Sequence, residues 1–233
     1  MQRLDPFGRS PAAADAGRLV TLLSQSPTAA ATDKSAKVDG RRLRSERTKQ
    51  LIVEAYIMLL REGSRAPTAT RIAERAGYSV RSIFERFPDL PALRVAAVAY
   101  AVAEAGARSV ARNIDGDRQA RLTSQVETRA QTCEYWLPLW RALSTAQDDS
   151  AELQQLFKFA REAIRRRLEL MYKPELATLS EAARKQTLIA IELLLDFESW
   201  GRMRELYGLS FDEGCKTWID AIDHLLPAAV PVS

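Results

Sequence analysis

Apolar residues recur at three- and four-residue intervals from about residue 45 to about residue 226, and no segment alternates convincingly at period two. The pattern predicts an all-α protein. A first helix is expected over Ser45–Glu62, with Leu51, Ile52, Ala55, Leu59 and Leu60 on one face and Gly63 ending it. Thr68 is placed to cap a second helix running to Ala76, which would bury Ile72, Ala73 and Ala76. Gly77 closes that helix, and Ser79 caps a short third one through about Arg86, with Ile83 and Phe87 four apart on the same face. Ala73 and Gly77 are small enough to permit a close helix crossing. A helix, a tight glycine-containing turn and a short capped helix make a helix-turn-helix. The competing reading, a generic hairpin in a bundle, leaves the local charge and these small residues unexplained.

Farther along, Asp89 can cap a fourth helix with Pro91 in its first turn, running to Asn113 before a turn at Asp115–Gly116. Further helices are expected over Asp117–Cys133, Glu134–Thr145, Asp149–Tyr172, Ser180–Tyr207 and Ser210–Leu226, with Pro138 kinking or breaking the one that holds it. Residues 1–40 have no sustained apolar period and carry Pro6, Pro11 and Pro27, so they read as a disordered tail; only Asp15–Ser24 suits a short helix. The resulting organisation is a tail (1–40), a three-helix helix-turn-helix domain (41–88), a helical ligand-binding and dimerisation domain (89–227) and a short C-terminal tail (228–233).

Charge sharpens that division. The chain has 233 residues and a net charge of only +4. From Lys34 to Pro88, however, 13 basic residues face six acidic ones, while residues 1–33 are balanced and the remainder is net acidic. A basic module joined to an acidic body suggests a polyanion-binding head. The basic run Lys37–Lys49 before the first helix suits either an arm that tracks phosphates or the minor groove, or a solvated linker.

Candidate chemistry is sparse. Two cysteines, Cys133 and Cys215, exclude a disulfide framework, and Cys133 reads as a buried free thiol. A single histidine, His224, argues against a histidine-built metal site or a Ser-His-Asp triad and reads as an interface or surface residue. No nucleophile–base pair or phosphate loop is evident, so no enzyme activity, catalytic residue, metal or cofactor is expected. Neither Leu19–Leu23 nor Leu188–Phe197, which Glu192 and Asp196 interrupt, suits a signal segment or a membrane span. The expected setting is cytoplasmic, at the nucleoid, with no membrane partner. The run Arg165–Arg167 reads as a solvated helix face.

The segment Arg47–Val98, and above all IAERAGYSVRSIFERFPDLPAL from Ile72 to Leu93, resembles the N-terminal domain of the TetR family of bacterial transcription regulators. The shared pattern is a helix ending Ile-Ala-x-x-Ala-Gly, a serine-capped recognition helix closing on Phe-Pro, and an Ala-Leu pair. The stretch LLLDFESWGRMRELYGLSFDEGCKTWIDAIDHLL resembles the last two helices of the same family's regulatory domain. The resemblance implies a dimeric repressor that binds a palindromic operator on double-stranded DNA and is released by a small-molecule effector. It also implies that Val80, Arg81 and Ser82 face the major groove, Arg81 suiting a bidentate guanine contact. Thr68, Thr70 and Arg71 at the second helix, with Arg47, Ser79, Phe84 and Arg86, complete the expected DNA-binding set.

Three positions depart from the family pattern: Phe84 stands where a tyrosine is usual, Glu85 is acidic, and Leu90 replaces a common basic residue. Glu85 either pairs with Arg81 or Arg86 across a turn or points away. These departures define a second reading, a TetR-like interaction protein with weak or no specific DNA reading. In the C-terminal half, Leu188, Ile191, Leu195, Trp200, Trp218, Ile222 and Leu225 are the expected dimer-interface residues, although the same pattern also suits intramolecular core. Tyr100, Tyr135, Trp136, Trp140, Phe157, Met171 and Tyr172 are the candidate effector-lining residues.

Overall fold

The computed structural model describes residues 35–64, 66–109, 111–144 and 150–228. Most of the expected N-terminal tail, including Asp15–Ser24, and nearly all of the C-terminal one lie outside these residues. Among the described residues there are ten helices and no strand: α1 (Ser35–Arg61), α2 (Ala69–Ala76), α3 (Val80–Phe84), α4 (Leu90–Arg108), α5 (Arg118–Ser144), α6 (Ala151–Met171), α7 (Lys173–Leu176), α8 (Glu181–Leu194), α9 (Phe197–Glu205) and α10 (Phe211–Leu225). The fold is all-α, as the apolar periodicity requires. It divides into two compact units, one holding the chain up to Ala107 with Pro138–Leu156, the other Arg108–Leu137 with everything from Phe157 onward.

In the first unit α1 is the central element. Between residues 52 and 60 only Glu54 and Met58 escape burial, so the helix is covered on more than one face. Ile72 and Ala73 of α2, Ile83 of α3, Phe87 beyond it, and Leu93, Ala97 and Val98 of α4 are buried in the same unit. Two polar contacts also link α4 to α1: the Tyr100 hydroxyl donates to Glu54 Oε1 at 3.4 Å, and Arg94 hydrogen-bonds the Tyr56 hydroxyl. By length and composition α4 is apolar enough to cross a bilayer. Leu93, Ala97, Val98, Ala99 and Ala101 of this helix are buried.

Local signals placed most helix ends. Thr68, Ser79, Ser180, Asp196 and Ser210 cap α2, α3, α8, α9 and α10 through their side chains, and Glu213 completes a capping box with Ser210. Gly77 has φ 73°, and nothing lies within 4 Å of a Cβ built there. Its role is therefore the left-handed turn between α2 and α3, not the close helix crossing expected for it.

Other boundaries differ from the sequence expectation. α1 begins at Ser35, so the basic stretch ahead of Ser45 is helical. α4 ends at Arg108, and Asn113 turns the chain with φ 57°. α5 runs through Pro138 without a break. Trp136, Leu137, Leu139 and Leu143 around it are buried, and that burial offsets the roughly 3 kcal/mol cost of an interior proline. The helix expected over Ser180–Tyr207 stops after Leu194 and restarts at Phe197. Asp196 Oδ1 accepts from Glu198 N at 2.9 Å, while Arg129 Nε donates to the freed Leu195 carbonyl at 2.8 Å and lies over the Phe197 ring at 4.7 Å.

The second unit is built on a core of Leu122, Val126, Ala130, Cys133, Leu168, Met171, Leu188, Ile191, Trp200, Trp218 and Ile222. Gly214 lets α10 approach Trp200, since a Cβ there would meet the indole at 2.9 Å. Inside this unit Glu175 is fully buried and paired with Arg121, whose Nη1 and Nη2 donate at 2.8 and 2.6 Å. Burial raises the Glu175 pKa, but the Arg121 hydrogen bonds and the Arg121 and Arg118 charges outweigh it, leaving the carboxyl below its ordinary 4.5. Its contribution to stability is thus complete above that ordinary value and fades as pH falls through the lowered one. Glu175→Gln is expected to cost about 3–5 kcal/mol by leaving Arg121 buried without its counter-charge. Urea unfolding at neutral pH measures the loss, and the gap between wild type and variant should narrow as the solution is acidified below the ordinary carboxylate range.

Candidate nucleic-acid interface

α3 has only five residues, too short to hold itself as an isolated helix. Its position comes from its two ends and one buried face. Ser79 Oγ accepts from Ser82 N at 3.1 Å and lies 2.9 Å from Ser82 Oγ. Ile83 is fully buried and Phe87 nearly so, which pins the opposite face. Tyr78, in the turn before α3, reaches back to α1, its hydroxyl 3.5 Å from Thr48 Oγ1. Arg75 of α2 donates to both oxygens of Glu62 at 2.7 and 2.5 Å, fixing α2 on the end of α1. Those hydrogen bonds hold the Glu62 carboxyl below its usual range. This clamp was missed in the sequence, because its partners are 13 residues apart and no periodicity links them.

The expected DNA-facing residues fall into three groups. Arg47, on α1, is exposed. At α2, Thr68 and Thr70 are exposed, Thr68 Oγ1 accepts from Arg71 N at 3.4 Å, and Arg71 Nη1 donates to Ser64 Oγ at 3.4 Å. At α3, the Arg81 side chain is 88% exposed and Phe84 is 46% exposed, with Ser79 open and Val80 and Ser82 half-buried.

Glu85 pairs with arginines on both sides. Its Oε1 accepts from Arg81 Nε at 3.0 Å and its Oε2 from Arg86 Nη1 at 3.5 Å. With Nε engaged, both Nη groups of Arg81 remain at the free end of the guanidinium. Arg86 is more enclosed, and its Nε is buried without a partner.

In the second unit the candidate interface residues lie mostly inside the subunit. Leu188, Ile191, Leu195, Trp200, Trp218 and Ile222 are buried in its own core, whereas Leu225 is 42% exposed. Leu193, on the neighbouring α8, is 70% exposed. The candidate effector-lining residues are divided between the units: Tyr100 and Trp140 belong to the first, Tyr135, Trp136, Phe157, Met171 and Tyr172 to the second. Tyr135 meets Trp136 edge-on at 4.7 Å and lies beneath Arg108 at 5.0 Å, and Met171 and Tyr172 sit in the core cluster. Burial pushes the Cys133 thiol up to about 11, which leaves it un-ionised at neutral pH. His224 is exposed, with Nδ1 2.6 Å from the Asp220 carbonyl oxygen.

The run Arg165–Arg167 is not a uniformly solvated face. Arg166 is open, but Arg165 donates to both oxygens of Glu192 at 2.6 and 3.1 Å, and Arg167 turns inward to Gln125. The signal was present in the spacing: position 167 lies on the apolar stripe of Ile164, Leu168 and Met171.

No protein-family model matches the chain, and no curated protein matches it. Among solved structures, the chain is similar to a crystal structure from a Rhodococcus species assigned to the TetR family of transcriptional regulators. The two share 19% identity and a TM-score of 0.58, with 77% of this chain and 98% of the other covered. At that identity the likeness is one of fold alone, an all-helical fold.

α3 should be sensitive to its cap. Ser79→Ala is expected to lower stability by about 1 kcal/mol, seen as an earlier urea midpoint with unchanged slope, and Ser79→Asp should retain most of it.

Proposed function

We propose that the protein is a sequence-specific regulator of transcription that binds double-stranded DNA as a homodimer. On this reading it represses from a palindromic operator, is released by a small-molecule effector, and works in the cytoplasm at the nucleoid. The observation that carries the reading is a serine-capped α3 that presents an open Arg81 beside Ser82 and Phe84, flanked by Thr68, Thr70 and Arg71 at the start of α2. The free Nη groups of Arg81 suit guanine O6 and N7 approached end-on, with Glu85 holding the side chain from behind. The open N-terminus of α2, with Arg71 and Arg47, suits backbone phosphates. Leu225 and Leu193 supply exposed apolar area for a two-fold contact through α8 and α10, over the buried residues of the same helices.

Glu85 also favours a second reading. One carboxylate shared by Arg81 and Arg86 reduces the positive potential of α3, as an interaction protein that has lost specific DNA reading would tolerate.

Selection of bound duplexes from a random library, followed by mobility shifts at two salt concentrations, separates the two. A palindromic consensus is expected, with Arg81→Ala costing about 1–3 kcal/mol and relaxing one base position per half-site. Arg47→Ala should weaken binding to all sequences alike and flatten the salt dependence. Absence of any preferred sequence, with Arg81→Ala binding like wild type, establishes the second reading. In sedimentation, Leu225→Glu combined with Leu193→Glu should convert dimer to monomer.

A further inference from the structure

In the second unit two arginines lie near Tyr172, and among the described residues only one of them has a carboxylate partner. Arg121 has Glu175 in a two-point ion pair. Among the described residues Arg167 makes no salt bridge: its Nε donates to Gln125 Oε1 at 2.5 Å and its Nη1 to the Ser109 carbonyl oxygen. Its Nη2 is buried without a hydrogen-bond partner, and so is the hydroxyl of Tyr172, a side chain 1% exposed. Neither atom satisfies the other. Burial pulls the Arg167 pKa down, against an opposing effect of Tyr172 and with a smaller one from the Arg112 charge in the same direction, and burial drives the Tyr172 phenol upward, so at neutral pH that phenol keeps its proton. Two buried donors and an uncompensated cation therefore lack an acceptor, a state that costs free energy on each count.

We propose that Arg167 and Tyr172 form the head-group site for a small carboxylate, one oxygen accepting from Arg167 Nη2 and the other from the Tyr172 hydroxyl. A carboxylate matches the donor set: two acceptor oxygens for two donors, and one negative charge for the unpaired guanidinium. Gln125, itself 2% exposed, holds the guanidinium from its Nε side. Arg112 adds positive potential at Arg167. The site gives the effector of the proposed regulator a chemical class; its consequence for DNA rests on that proposal, while the binding itself does not.

Calorimetric titration of the full chain with propionate and with benzoate tests the site, using propionamide, benzamide, chloride and inorganic phosphate as controls. Saturable binding of a carboxylate is expected, with no binding of either amide. Arg167→Gln should weaken it about tenfold or more and Tyr172→Phe measurably less, because a hydrogen bond to a charged group is worth more than one phenol bond. Circular dichroism checks each variant's fold; should Arg167→Gln not fold, Tyr172→Phe, which removes one oxygen atom, carries the test. No saturable carboxylate binding, equal binding by the amides, or unchanged binding by folded variants overturns the site. Equal binding of chloride and phosphate identifies an adventitious ion only. Carboxylate binding in a chain with no preferred DNA sequence overturns the regulator and leaves the site standing. Specific DNA binding without carboxylate binding does the reverse.

Discussion

In a protein made only of helices, each helix ends in carbonyl groups that have lost their own donors, and burying those ends requires donors from elsewhere. In the second unit α5 supplies them. Arg118 donates to the carbonyl oxygens of Asp223, Leu226 and Pro227 at the end of α10, at 2.7, 3.0 and 2.6 Å. Arg121 donates to the Met171 carbonyl at the end of α6 at 2.6 Å, and Arg129 to that of Leu195 just beyond α8. One polar stripe on one helix thus terminates three others, and the apolar stripe beside it, Leu122, Val126, Ala130 and Cys133, buries against the same group. A guanidinium suits this work because it carries several donors in a fixed plane and brings positive charge to the negative end of a helix.

The first unit meets the same constraint at shorter range. α2 and α3 are eight and five residues long, so end effects make up most of their structure. Thr68 and Ser79 satisfy the leading amides, and the left-handed Gly77 folds its own N–H back to Glu74 O. Ile72, Ala73 and Ile83 then anchor both helices on the buried middle of α1. The exposed face of α3 is free to vary because none of these restraints involves it.

What was legible in the sequence follows the range of each interaction. The caps at Thr68, Ser79 and Ser210 and the turn at Gly77 act within about four residues, so their residue types announce them. The helical period and the burial of Ile52, Ile83 and Phe87 were equally plain. Long-range partners were not. Whether Arg121 or Arg167 faces water or core depends on Glu175 and Gln125, about fifty and forty positions away, and composition counts both only as charges. The break after Leu194 needed Arg129 to receive the Leu195 carbonyl, and the continuous helix through Pro138 needed buried neighbours on both sides. Leu188, Ile191, Trp200, Trp218 and Ile222 have the same apolar spacing whether they face a twin subunit or their own core. Periodicity alone cannot separate these cases.

The charge of the first unit gains its meaning from the same pairing. Several cations near α2 and α3 are balanced locally: Arg75 by Glu62, and Arg81 and Arg86 by Glu85. On α1, Arg42, Arg44 and Arg47 are exposed and have no carboxylate partner among the described residues; Arg44 only bridges its own helix at Gly40 O. Because this stretch is helical, these charges are fixed on a rod with a rise of about 1.5 Å per residue, unlike charges on a flexible arm. A polyanion approaching them gains attraction at a smaller conformational cost than ordering a loose tail would demand. Among the described residues, unpaired positive charge is thus concentrated on α1, while the arginines of α3 and the residue after it are neutralised locally by Glu85. On the proposed function, attraction and base contact fall to different helices, which allows α3 to be followed by an acid at position 85.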